Sequence, residues 1–309
     1  MTNKHSQDND DSTAVIPPYV GRFAPSPTGP LHMGSLISAL ASFLDARAHQ
    51  GEWLIRVEDI DPPREIAGAS ENIIASLSAH GLHSDRPILF QHSRLDAYQA
   101  ALQTLQRQQL CFRCQCSRTQ LKGSDIYPGH CRYRTIDDSI ATATRLLVDQ
   151  QPVSYCDRIQ GPRQQNLAAQ LGDFVIARKD GLISYQLAVV VDDAFQGVTH
   201  IVRGADLLES TERQIYLGKM LDYPSIDYAH LPVLTNEAGQ KLSKQTFAPS
   251  LDSGQIINNL LFALSFLNQT LPERPPKTVE QLLEFAIQHW DIDAIAKHCS
   301  HYQPLPSLA

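Results

Sequence analysis

The sequence predicts an α/β fold built on an open parallel sheet, with an inserted cysteine-rich element and a short helical region at the end. Three observations carry that prediction. The stretch RFAPSPTGPLHMGS, Arg22 to Ser35, reads as a strand end, a proline- and glycine-broken loop and the start of a helix. An acid pair, Glu58-Asp59, follows a second apolar strand, at the strand end where open parallel sheets bind ligands. A lysine-bearing loop, KLSK, follows the last predicted strand.

Composition bounds the rest. The chain has 309 residues, 42% of them hydrophobic and 19% charged, enough apolar material for a sizeable core. The net charge of −7 argues against a generally basic nucleic-acid coat, although a local basic patch remains compatible with it. No apolar run reaches the length of a membrane span, and Met1 to Thr13 is polar with no signal-peptide core. Residues 1–17 are therefore expected to form a disordered tail, and the cytoplasm is the expected compartment. There the six cysteines would stay reduced.

Tyr19 to Ala24 is the first expected strand. The helix after it, Leu36 to Gln50, carries Leu36, Leu40, Phe43 and Leu44 on one face, with Gly51 as its C-cap. His32, Gly34 and Ser35 thus fall at a helix N-terminus, where free N–H groups and the helix dipole favour an anion. Trp53 to Val57 is the second strand. Asp61-Pro62 opens a helix to about His80, with Ile66, Ile73, Ile74 and Leu77 inward and Gly81 closing it. Ser93 is expected to cap a helix from Arg94 to Gln109, with Leu95, Tyr98, Leu102 and Leu105 on one face.

Residues 111–134 are cysteine-rich and, counting Arg113, Arg118, Lys122, Arg132 and Arg134 against Asp125, carry a net +4. Cys114-x-Cys116 followed by Cys131 offers three thiolates to a tetrahedral zinc ion, and the intervening loop is long enough to close around it. Spacing leaves the fourth ligand open between Cys111, His130 and Tyr127. Arg145 to Val148 and Val153 to Asp157 read as strands and Gly161-Pro162-Arg163 as a turn. Phe174 to Ala177 and Val198 to Arg203 are further strands, with a helix at Tyr185 to Val191 between them. Tyr185, Asp192, Asp193, Arg203, Gly204 and Asp206 cluster at element ends, and the R-G-x-D turn suits recognition of a carboxylate by guanidinium. Ser210-Thr211 is expected to open a helix towards Leu221, and His230 to Leu234 to form the last strand. Beyond the KLSKQ loop come a helix from Asp252 to Leu267, a proline-rich linker from Leu271 to Pro276, a helix capped by Thr278 and Gln281, and a short helix from Asp291 to His298.

These motifs together resemble the class I aminoacyl-tRNA synthetases of the glutamate branch. RFAPSPTG with His32-x-Gly34 is similar to the first nucleotide-binding motif, RVED to the family's acidic strand end, and KLSK to the KMSKS motif. GDFV, SYQLAVVVDD, GVTHIVRGADLL, RQIYL and HLP extend the resemblance over about residues 19 to 268. It implies a Rossmann-like catalytic domain that activates L-glutamate with ATP and Mg²⁺. By that resemblance Arg22, Ala24 and Ser26 border the amino acid, with Arg22 on its α-carboxylate. Glu58 and Tyr185 hold its ammonium group, and Arg203 pairs with its γ-carboxylate and so rejects glutamine. His32, Gly34, Ser35, Lys241, Ser243 and Lys244 hold the nucleotide, with His32, Lys241 and Lys244 catalytic. Where the general motif ends in a second histidine, this chain has Ser35.

Only some 60 residues follow KLSKQ, too few for the anticodon-binding domain of a bacterial glutamyl-tRNA synthetase. That brevity and the cysteine–cysteine–tyrosine–cysteine pattern resemble the branch that attaches glutamate to queuosine at the wobble position of tRNA(Asp). The resemblance also makes Tyr127 the fourth ligand of one structural zinc with Cys114, Cys116 and Cys131. The expected division is a catalytic first half at 18–110, the zinc insertion at 111–172, a second half at 173–250 and helices at 251–309, in a monomer without membrane contact. The rival expectations are a short glutamyl-tRNA synthetase charging a 3′ end and a non-catalytic RNA-binding paralogue.

Overall fold

The computed structural model describes residues 18–117, 119–123, 126–241, 250–274 and 276–304. The tail expected over 1–17, together with Arg118, Asp125, Ser243 and Lys244, lies outside the described residues.

The frame is a twisted run of parallel strands. β1 (Val20–Phe23) pairs with β2 (Glu52–Val57), which pairs with β3 (Leu89–Phe90). Between them lie α1 (Met33–Ala48) and α2 (Ala69–Ala79), and α3 (Leu95–Arg107) follows. The chain then makes β4 (Cys111–Cys114), β5 (Ala143–Leu146), the β6 (Val153–Asp157) and β7 (Gly161–Gln165) hairpin, α4 (Leu167–Gln170) and β8 (Phe174–Ala177). β4, β5 and β8 form an antiparallel sheet in that order.

α5 (Tyr185–Gln196) leads into β9 (His200–Gly204), α6 (Leu208–Met220) and β10 (Asp227–Leu231). β9 and β10 are parallel, and β9 comes alongside β1, where the Thr199 N–H donates to Val20 O at 2.9 Å. β11 (Val233–Thr235), α7 (Ile256–Phe266), α8 (Val279–Gln288) and β12 (Ser300–Tyr302) complete the described chain.

α1 is the central helix. Leu36, Leu40 and Leu44 are fully buried with Trp53, Leu260, Ala263 and Leu282. Each such leucine contributes ~1.5–3 kcal/mol by leaving water. A second core joins α3, α5 and α6 to β8 through Tyr98, Leu105, Ile176, Leu187 and Leu217. A third, smaller cluster of Val20, Leu54, Ile201 and Tyr228 covers β1, β2, β9 and β10, whose carboxyl ends converge on one cavity.

Several elements differ from expectation, each for a local reason. Gln50, at φ 55°, takes the left-handed position after α1 in place of Gly51. Gly51 is needed for close approach, because a Cβ there would stand 2.4 Å from Tyr19 O. The helix expected over 62–80 is a 3-10 turn at Pro62–Arg64 followed by α2, broken at Gly68 (φ 77°), and Ile66 is exposed. The Ser93 hydroxyl donates to Phe90 O and caps nothing; Leu95 is likewise exposed.

Gly161-Pro162-Arg163 starts β7, where Pro162 lies opposite Cys156 in a two-stranded ribbon. Ser210 and Thr211 are buried inside α6. Pro232 splits the expected strand at 230–234 into β10 and β11. α7 starts only at Ile256, after a turn in which the Gly254 N–H donates to Asp252. The helix expected at 291–298 is a 3-10 turn, Ile292–Ala294, and the chain then forms β12 parallel to β11. No helix among the described residues is long and apolar enough to cross a membrane.

Candidate active site

A cavity of ≈ 490 Å³ opens where the strand ends converge. Arg22, Ala24, Ser26, His32, Gly34, Ser35, Glu58, Tyr185, Arg203 and Lys241 all line it, so the structure brings together every described residue that the resemblance assigns to glutamate or the nucleotide. Ser243 and Lys244 lie outside the described residues. The loop that holds them leaves at Lys241, bridged to Thr235, and is rejoined at Ser250, bridged to His32.

Local chemistry explains the floor. His32 is the N-cap of α1, and its Nδ1 accepts from the Ser35 N–H at 3.3 Å. Its Nε2 lies 3.1 Å from Ser35 Oγ. The first turn of α1 therefore faces the cavity with Gly34 and Ser35 beside the imidazole, an arrangement suited to an anion. Glu58 is tied to the first loop by its own N–H, which donates to Pro25 O at 2.9 Å.

The charged walls are set from far along the chain. Arg22 donates through Nε to Asp193 Oδ1 at 3.2 Å and through Nη2 to Oδ2 at 3.4 Å. Arg56, fully buried in β2, donates to the same Asp193 at 2.7 Å, to Gln196 at 2.9 Å and to Glu58 at 3.4 Å. Burial alone would raise the Asp193 carboxyl, but the two guanidinium groups outweigh it and hold Asp193 below the ordinary range. At Glu58 the balance goes the other way: burial lifts its carboxyl above the ordinary value against the pull of Arg56 and Arg22. Burial likewise lifts the Tyr185 phenol.

Arg203, 4% exposed, is held by His230, Gln214, Thr211 and Leu207 O. Lys241 pairs with Asp206 at 2.6 Å, so the R-G-x-D aspartate engages the lysine loop. Arg56, His230, Gln214 and Asp157 support the site without standing out as site residues in the sequence. A charge in an apolar strand (Arg56) and a histidine beginning an apolar strand (His230) were the available signals.

Cys114, Cys116 and Cys131 place their sulfurs within 4.8 Å of one another. Four zinc ligands at ~2.3 Å in a tetrahedron stand ~3.8 Å apart, so the donors fit such an ion. The Tyr127 hydroxyl lies 3.4 Å from Cys114 Sγ and accepts from the Cys131 N–H at 3.0 Å. Cys111 stands apart on β4 opposite Leu146, and His130 is exposed at the rim of the cluster.

Arg145 lies over the Tyr127 ring, 3.8 Å from its centre, and donates to Cys114 Sγ at 3.3 Å. Burial would raise the Cys114 thiol, yet hydrogen bonds from Tyr127 and Arg145 bring it below the ordinary value. Burial, then the hydrogen bond with Cys131, pushes Cys116 up to about 11. One thiol poised to ionise beside a cationic side chain is a natural start for a metal-binding set.

Fold and site together have the form of a class I synthetase, and the family model for class I (E and Q) tRNA synthetase catalytic domains matches residues 19–259. The structure is similar to the glutamate-tRNA synthetase of Elizabethkingia anophelis at TM-score 0.78 and 20% identity, covering 93% of this chain and 68% of that one. That likeness concerns the fold.

The chain is 49% identical over 277 residues to the glutamyl-Q tRNA(Asp) synthetase of Acinetobacter baylyi, covering 90% of this chain and 94% of the relative. It is 50% identical over 295 residues to that of Thiobacillus denitrificans, covering 93% and 98%. The chain belongs to the class I glutamate and glutamine synthetase family and, within it, to the glutamyl-Q tRNA(Asp) synthetases.

Proposed function

We propose that this protein activates L-glutamate with ATP and transfers the glutamyl group to queuosine in tRNA(Asp). The observation that carries activation is the convergence of Arg22, Glu58, Tyr185 and Arg203 with the α1 N-terminus on one cavity. Family membership supports the acceptor.

In this reading Arg22, anchored by Asp193, faces the α-carboxylate, and Ala24 and Ser26 border it. Glu58 and Tyr185 take the ammonium group and Arg203 the γ-carboxylate. His32, Gly34, Ser35, Lys241, Ser243 and Lys244 hold the nucleotide, which arrives with Mg²⁺.

One α-carboxylate oxygen attacks the α-phosphorus of ATP. A P–O bond forms, the bond to the β-phosphate bridge breaks, and pyrophosphate leaves. Positioning and charge neutralisation supply the catalysis. A hydroxyl of the queuosine cyclopentenediol then attacks the glutamyl carbonyl, AMP leaves, and the hydroxyl proton passes to solvent.

Cys114, Cys116, Tyr127 and Cys131 would hold a structural zinc ion, which would cross-link the end of β4 to Tyr127 and Cys131. The enzyme works as a monomer in the cytoplasm, where thiols stay reduced.

The test is pyrophosphate exchange with pure protein, ATP, Mg²⁺ and L-glutamate, followed by transfer to tRNA(Asp) with and without queuosine. Glutamate-dependent exchange without tRNA, and transfer only to the queuosine-bearing tRNA, are expected. No exchange would overturn activation without tRNA, and equal transfer to both tRNAs would overturn the acceptor.

A further inference from the structure

Arg22 and Arg203 line the same cavity but are held by opposite kinds of partner. Arg22 is neutralised by Asp193. Among the described residues, every hydrogen-bond partner of Arg203 is a neutral group. Its Nε–H donates to His230 Nε2 at 3.0 Å, Nη1 to Gln214 Oε1 at 2.8 Å, and Nη2 to Thr211 Oγ1 at 2.8 Å and Leu207 O at 3.3 Å. A guanidinium has five N–H donors. Among the described residues these contacts leave one, on Nη1.

The arrangement at His230 follows from donor and acceptor chemistry. Arg203 cannot accept a hydrogen bond, so His230 Nε2 presents its lone pair and Nδ1 carries the proton. Nδ1 donates to Asp157 Oδ2 at 2.5 Å. Asp157 is itself fixed, with Oδ1 accepting from the N–H groups of Ile159 at 3.0 Å, Gln160 at 2.8 Å and His230 at 3.1 Å. Arg203 and His230 lie side by side in register on β9 and β10. Asp157 thus reaches Arg203 only through an imidazole. Asp206 is paired with Lys241, and Glu212, whose carboxyl burial pushes up, makes no hydrogen bond to Arg203.

We propose that His230, oriented by Asp157, together with Thr211 and Gln214 forms a cage of neutral contacts that positions Arg203 and leaves its guanidinium without a carboxylate in direct contact, ready for an anionic substrate side chain. His230 and Gln214 are accordingly positioning residues for carboxylate over carboxamide selection. This rests on the reading of Arg203 as the group that meets the γ-carboxylate. A carboxylate in direct contact with Arg203 would satisfy the guanidinium internally and remove its preference for glutamate over glutamine.

The experiment is pyrophosphate exchange with the full chain, comparing kcat/KM for L-glutamate and L-glutamine and KM for ATP. Gln214→Glu, nearly isosteric, sets a carboxylate on Arg203. It is expected to lower the glutamate-over-glutamine ratio about tenfold or more through KM for glutamate, with KM for ATP unchanged. His230→Ala is expected to lower the ratio similarly, and His230→Gln, which keeps a neutral acceptor, to recover most of it. If His230→Ala does not fold, Gln214→Glu and His230→Gln decide. A ratio within about twofold of wild type in Gln214→Glu, or a loss in kcat alone, overturns the cage. Arg203→Ala separates the two ideas. If it keeps wild-type discrimination, the reading of Arg203 fails; if only it loses discrimination, the cage fails.

Discussion

The cavity and the cysteine cluster are assembled over very different chain separations. The cluster draws on residues 13 to 15 positions apart, Cys114 with Tyr127 and Cys116 with Cys131. The cavity depends on Arg22 meeting Asp193 across 171 positions and Arg56 meeting it across 137. A short segment brings its ligands together at little loop-closure cost, and a bound ion would supply the remaining order. The cavity has no such local means. Arg22 and Arg56 are placed by a buried acid on α5, so the cavity's geometry depends on the whole sheet having formed.

The largest effect should therefore come from that acid. Asp193→Ala leaves Arg22 and Arg56 buried without their counter-charge, and a loss of ~3–5 kcal/mol in urea unfolding is expected together with loss of exchange. A loss below ~1 kcal/mol would mean that the cavity is not held from α5.

Next comes the metal. Cys131→Ser should reduce bound zinc from one per chain to none by elemental analysis, while glutamate-dependent exchange persists. Loss of exchange in a folded variant would mean that the two regions are coupled.

A smaller effect is expected from pH. Glu58 has its carboxyl raised by burial, so protons compete for it above the ordinary value of 4.5. Binding of the substrate ammonium needs the ionised form. KM for glutamate should rise as pH falls into that region while KM for ATP stays flat, and parallel changes in both would remove Glu58 from the ammonium role.

The smallest effect belongs to Cys111→Ser. Its thiol, which burial pushes up to about 11, is outside the cluster, so metal content should not change and stability should fall by ~1 kcal/mol or less. Loss of zinc would redraw the ligand set.

Legibility differed between these regions in the same way as their assembly. His32, Gly34 and Ser35 can be nominated because a broken loop between a strand and a helix announces itself within a dozen residues, whereas Arg22 is nominated by family resemblance. Thr278 was readable as a cap, and its Oγ1 accepts from the Gln281 N–H at 3.3 Å. Ser93 and Ser210 look equally suitable, but one bonds back to Phe90 and the other is enclosed in α6. Cap propensity is a local preference that packing overrides. β12 is not legible locally because its strand partner among the described residues, β11, lies 67 positions earlier, Val233 opposite Ser300.

The sequence by itself determined the α/β class, the helix start that faces the cavity, the cysteine set and most of the cavity's charged residues. The class and the cysteine set rest on local patterns of glycine, proline, thiol and apolar spacing, and the charged residues on motifs that resemble those of the synthetase family. Only the tertiary structure decided that Arg22 is held by an acid and Arg203 by neutral groups. That difference is made by side chains from strands and helices far apart in the chain, and what a buried charge experiences depends on the neighbours that folding puts beside it.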